Sequence, residues 1–100
     1  MSDPQFVAEA SARAMYEQDR ASQSLGIRIV EVRPGYARLA MKVREDMVNG
    51  HQICHGGLIF TLADSAFAFA CNTYDLVTVA AAGTIEFLLA GRLGDELTAN

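Results

Sequence analysis

HGGLIFTLADSAFAFACNTY, residues 55–74, decides how the rest of the chain must be arranged. From residue 58 to residue 74 the run is apolar, and Phe60, Leu62, Ala63, Ala66, Phe67, Phe69 and Ala70 are distributed around the whole circumference of a helix. A helix without a wet face has to be enclosed by something else. The run reaches the short end of membrane-spanning length, about 17 residues. Asp64, Ser65, Asn72 and several alanines nevertheless make a spanning helix a poor reading, so a core helix opening at Gly56-Gly57 is expected and no membrane partner.

A sheet is the obvious wrapper, and the flanking sequence supplies one. Downstream, residues 78–89 alternate, with Ile85, Phe87 and Leu89 on one face against Thr84, Glu86 and Leu88. Residues 91–95 then turn into a further strand at Glu96. Upstream, Ile27, Ile29 and Glu31 share a face. After Arg33-Pro34-Gly35 the alternation resumes, Tyr36, Arg38, Ala40, Lys42 and Arg44 on one side and Ala37, Leu39, Met41 and Val43 on the other, which predicts a β-hairpin. Asp3-Pro4 offers an N-cap acceptor followed by proline at the first helical position, and predicts a surface helix to about Ala21. Residues 45–55 follow neither period and contain Asn49-Gly50, an irregular connection long enough to be a place for function. The expected class is α+β, one domain over residues 1–100.

Composition narrows the partners. A net charge of −4, with eight scattered Lys and Arg, provides no basic stripe to displace counterions, so nucleic acid is excluded. Cys54 and Cys71 are too few for a disulfide framework, and residues 1–12 lack the basic start and apolar core of a secretory signal; a reducing cytoplasm is expected. A chain of 100 residues buries a modest fraction of its surface, which makes a partner subunit plausible.

Asp64 is the sole Asp, Glu, Lys, Arg or His between Leu58 and Tyr74 in a helix read as buried on every side, and burying a lone carboxylate is expensive. Two readings stay open. It caps a loop or pairs with an arginine from another element, or it is a base or nucleophile prepared by desolvation. Gly56-Gly57 likewise forms either a tight turn or, with unpaired amides at the positive end of a helix and no side chains in the way, a site for a developing oxyanion. Eight residues at ~1.5 Å rise separate Gly56 from Asp64 by about 12 Å along one helix. An oxyanion donor and a base must each lie roughly 3 Å from the reacting group. If both serve one reaction they come from two copies of the helix, and a dimer with shared sites follows.

The stretch NGHQICHGGLIFTLADSAFAFACN, residues 49–72, closely resembles the hotdog-fold acyl-CoA thioesterases, in particular those of bacterial phenylacetate degradation. AMYEQDRASQSLGIRIVEV at residues 14–32 and TIEFLLAGRLGDELTA at residues 84–99 extend the likeness over nearly the whole chain. The pattern is HGG, an Asp eight residues after its first glycine, and an Asn six residues before its His. The resemblance implies a long central helix wrapped by a curved antiparallel sheet, in a homodimer that pairs again into a tetramer. It assigns the catalytic carboxylate to Asp64, as nucleophile or as base on a water, and carbonyl polarisation to the Gly56 amide. Asn49 matches a residue orienting water or substrate, and His55 one lining the same site. Gly57 and His51 fall to the substrate-binding surface. Phenylacetyl-CoA and ring-hydroxylated relatives are the implied substrates, with free CoA released and no cofactor.

The chain departs from the pattern in two places. Where many relatives carry a basic residue, this sequence reads Phe87-Leu88-Leu89-Ala90, leaving Arg92 as the substitute for meeting CoA phosphates. The family also continues for two more strands, so the expectation is a C-terminally incomplete domain. Other chemistries fit less well. Cys54 beside His55 suggests a thiol nucleophile, but adjacent residues of an extended loop point to opposite sides. His51, His55 and Asp64 lack compact ligand spacing, so no metal is expected. A hotdog hydratase or dehydratase would pair His51 with Asp64, yet its proline-rich approach to the helix is missing. A non-catalytic acyl-CoA-binding module would have no need of Asp64.

Overall fold

A computed structural model of the protein describes residues 3–74 and 90–100. Helix α1, Pro4–Gln18, begins as expected with proline in its first turn, although Asp3 at the N-cap position makes no side-chain cap bond. The single helix expected to Ala21 is two. The chain breaks at Asp19 and restarts as α2, Arg20–Ser24, because the Asp19 carboxylate accepts the Ser22 N–H at 3.0 Å and the Ser22 hydroxyl at 2.6 Å. A side chain that bonds the backbone two or three residues on opens a new helix in preference to continuing an old one.

The hairpin is present as β1, Arg28–Arg33, and β2, Tyr36–Lys42, joined by Pro34-Gly35. Gly35 has φ +74°, and its N–H donates to Thr73 Oγ1 at 2.7 Å, so a left-handed turn that glycine adopts freely is pinned beside the end of the later helix. One face assignment needs correction. The register slips between Ile29 and Glu31, leaving Val30 as a bulge; Glu31 then stands opposite Arg38 on the outer face, and Val32 opposite Ala37 on the inner one. An extra residue inverts the alternation beyond it, which places Glu31 away from the Ile27 and Ile29 face.

After β2 a short 3-10 turn, Glu45–Met47, leads into the irregular connection, and helix α3 spans Gly56–Cys71. Strand β3, Glu96–Ala99, pairs antiparallel with β2, giving the order β1-β2-β3. The strand expected over residues 78–89 lies outside the described residues. The inward side chains of β2, Leu39 and Met41, with Val43 beyond its end, meet Leu62, Ala66 and Phe69 of α3, and Ile27 and Met47 close the layer. Each large apolar side chain so buried contributes about 2 kcal/mol. This α3-on-sheet contact fixes which way the helix faces, and with it the site.

Candidate active site

Helix α3 is not enclosed by the described residues. Leu62, Ser65, Ala66 and Phe69 are buried, whereas Gly57, Asp64 and Phe67 are exposed and Phe60 and Cys71 partly so. Positions 57, 60, 64, 67 and 71 form one stripe at helical spacing, turned away from the sheet. The expectation of a buried Asp64 is therefore corrected. Hydropathy around the helix is uniform, but three strands cover one side of it. Among the described residues, the Asp64 carboxylate has no hydrogen-bond or ion-pair partner, so neither a loop cap nor an arginine pair is found among them.

The start of α3 carries a complete account of its amides. His55 stands at the N-cap, φ −60° and ψ 129°. Its carbonyl accepts Leu58 N–H at 3.0 Å and Ile59 N–H at 3.4 Å, and its Nδ1 accepts Gly57 N–H at 3.4 Å. The Ile59 bond is the first regular turn of the helix; of the four amides that lack an intrahelical acceptor, His55 satisfies those of Gly57 and Leu58, and its own N–H donates to Met47 O at 2.8 Å. Gly56 N–H alone has no acceptor among the described residues. Gly57 needs no glycine on the chain's own account: its φ is ordinary, and an added Cβ would meet nothing nearer than His55 Nδ1 at 3.7 Å. Its missing side chain leaves room beyond the chain.

The loop before the helix is held by Asn49. Its Oδ1 accepts His51 N–H at 2.9 Å and Ile53 N–H at 3.4 Å, while its backbone N–H bonds Ile53 O at 2.8 Å. With Oδ1 committed to the loop, the Nδ2 hydrogens are what Asn49 offers to a ligand. Gln52 at the loop tip adopts φ +64°, a conformation uncommon for residues other than glycine, and composition carried no signal of it. The loop is in turn stitched to the segment before β3. Cys54 N–H donates to Gly91 O at 2.6 Å, and Ile53 forms an isolated bridge with Arg92. A Cβ at Gly91 would lie 3.3 Å from Cys54 Cβ, a tight contact that favours glycine there. Sequence reading saw Gly91 as a turn glycine and missed its packing role.

Asn49, His51, His55, Gly56, Gly57 and Arg92 are therefore assembled at one end of α3, and Asp64 stands apart. Since Gly56 and Asp64 lie on one unbroken helix, the separation of about 12 Å along its axis holds. Arg92 is exposed, with its backbone N–H on Asp95 Oδ2 and no ion-pair partner for its guanidinium among the described residues. Two grooves, of about 330 Å³ between α1 and β1 and about 250 Å³ between α3 and the start of β2, take no lining from these seven residues. No helix among the described residues is long and apolar enough to cross a membrane.

A central helix laid across an antiparallel sheet, with a glycine-opened N-terminus and a carboxylate two turns on, is the arrangement of hotdog-fold thioesterases, and a thioesterase superfamily model matches residues 51–100. The chain belongs to that superfamily. It is 53% identical over 89 residues to acyl-coenzyme A thioesterase PaaI of Escherichia coli strain K12, a match covering 89% of this chain and 64% of that protein. The chain thus spans less than two thirds of that relative's length. The solved structure of the E. coli PaaI protein, described as from the phenylacetic acid degradation operon, superposes with a TM-score of 0.93 at 49% identity, covering 96% of this chain and 70% of the other. A hypothetical thioesterase protein from Streptococcus pneumoniae TIGR4, solved with coenzyme A, matches at TM-score 0.68 and 32% identity over 72% of this chain and 58% of its own.

Proposed function

We propose that this chain forms the site of a cytoplasmic enzyme that hydrolyses acyl-CoA thioesters, with phenylacetyl-CoA or its ring-hydroxylated relatives as substrate. The observation that carries the reading is the occurrence on one helix of an amide at Gly56 and a carboxylate at Asp64 that both lack a partner among the described residues. The acyl-CoA class is supported by the E. coli relative's name and by coenzyme A in the pneumococcal structure. The aryl class is supported by the operon to which the E. coli structure is ascribed.

In this mechanism the thioester oxygen accepts the Gly56 N–H at the positive end of α3, where negative charge developing in the transition state is stabilised. Asp64 attacks the carbonyl carbon, or takes a proton from the water that does. The C–S bond breaks with its electron pair leaving on CoA sulfur, and one water in all is consumed to give free acid and CoA thiol. Asn49 Nδ2 orients water or substrate, while His55 and His51 line the approach. Arg92, cationic and uncommitted, meets the CoA phosphates. Because Gly56 and Asp64 of one helix cannot reach one carbonyl, two protomers share each site in a homodimer, and such dimers pair into a tetramer.

Free-thiol release from phenylacetyl-CoA and from a straight-chain acyl-CoA tests the reading. Asp64→Asn keeps shape and removes the ionisable group, and turnover should fall by about 100-fold or more with the fold retained. Turnover equal to wild type would remove Asp64 from the chemistry. A well-folded wild type that releases no thiol would remove the hydrolase.

A further inference from the structure

We propose that His55 is a positioning residue that leaves the Gly56 amide as the one first-turn amide of α3 without an acceptor among the described residues, and holds it still. This role rests on the thioesterase reading above. The carbonyl of His55 closes Leu58 and Ile59, and its ring closes Gly57. What stays open is Gly56 N–H, flanked on one side by the capping residue itself and on the other by a capped glycine. Two consecutive glycines are the most conformationally free pair a backbone can contain. The Gly56 N–H shares a peptide plane with the His55 carbonyl, which Leu58 and Ile59 hold, and the ring fixes the peptide plane that follows; an oxyanion donor is effective only when its orientation is set before the charge appears. The ring supplies an anchor one residue away from the reacting group.

The same bond dictates the protonation pattern of His55. A ring nitrogen that accepts an N–H carries its lone pair, so the neutral imidazole keeps its proton on Nε2. An imidazolium has no acceptor and cannot make this cap. The role therefore belongs to an acceptor at the N-cap and not to a charge or to an imidazole as such. Asparagine, whose side-chain oxygen reaches the N2 or N3 amide from an N-cap position, should replace it.

The test compares His55→Asn and His55→Ala with wild type in phenylacetyl-CoA turnover and in nitrogen NMR. The wild-type ring should appear as the Nε2–H tautomer, with slow Gly57 amide exchange in wild type and His55→Asn and faster exchange in His55→Ala. His55→Ala should lose about tenfold or more in kcat with little change in KM, while His55→Asn stays within about threefold of wild type. A ring found as the Nδ1–H tautomer overturns the cap. So does a folded His55→Asn as impaired as His55→Ala, since the imidazole would then act by itself. Failure of the cap alone leaves wild-type thiol release and the Asp64→Asn loss in place, whereas failure of the thioesterase reading abolishes the first.

Discussion

Cys54 sits next to the proposed chemistry and is barred from it. Its side chain is 3% exposed and its N–H is tied to Gly91 O, so it is built into the joint between the loop and the segment before β3. Burial pushes its thiol above the ordinary cysteine value, because the thiolate would have to be desolvated. A thiol kept protonated is a poor nucleophile, which gives a second reason, independent of side-chain direction, to set the cysteine mechanism aside. The sign for stability follows: with the folded value raised, the contribution is present in full below the unfolded value and is lost as pH rises through the folded one. From about pH 8.5 upward the unfolded thiol ionises first, and stability should decline. Urea unfolding of wild type and Cys54→Ala at neutral and alkaline pH should show a steeper alkaline loss in wild type, and Cys71 should label faster than Cys54 in the folded protein. Parallel pH dependence of the two proteins would refute the burial argument.

At the scale of elements, the break at Asp19 ties the N-terminal helices to α3. The Ser22 hydroxyl donates to Asp19 Oδ2 at 2.6 Å and stands 3.0 Å from Ser65 Oγ, with both serines buried. Since Ser22 spends its proton on Asp19, Ser65 is the donor between the two hydroxyls. Asp19→Ala removes a cap and leaves a buried hydroxyl unsatisfied, and should cost about 1–2 kcal/mol in urea unfolding. Asp3→Ala, at a cap position that makes no cap bond, should stay within about 0.5 kcal/mol. Equal losses would mean that the Asp19 network carries no weight.

The same contrast marks what the sequence made legible. Asp3-Pro4 and Asp19 are both plausible caps by residue type, and only the path of the backbone selects between them. Leu39 and Met41 were readable as inward because they alternate with the exposed Arg38 and Lys42, although Ala40 between them is buried as well. Glu31 was not, because nothing in the composition of β1 announces a bulge at Val30. At the site, HGG and Asp64 were visible as residue types at a spacing, and the spacing survives in the unbroken helix. The commitment of Asn49 Oδ1 to its own loop and of His55 Nδ1 to Gly57 depends on dihedral angles that no pattern encodes. The exposure of Asp64 was misread because uniform hydropathy tells that a helix is to be covered, without telling which elements cover it.

At the scale of the whole molecule, the geometry of α3 makes the proposed site a property of two chains, and this can be tested without knowing the assembly's size. Gly56 is the first residue of the helix, preceded by an extended His55. Proline is well tolerated there, and an extended preceding residue suits it, so Gly56→Pro removes one N–H at small cost to the helix. Gly56→Pro and Asp64→Asn should each be nearly inactive alone. Unfolded together and refolded, half of the dimers would pair one variant with the other. Each mixed dimer then holds one site with both groups intact and one with neither. Thiol release should recover to about one quarter of the wild-type level, as expected where an isologous pair shares its sites. If instead one chain supplied both groups, every site in the mixture would lack one of them, and no activity would return at any ratio of the two proteins. A recovered activity that is greatest at equal proportions and falls toward either pure variant would place Asp64 of one protomer opposite Gly56 of its partner.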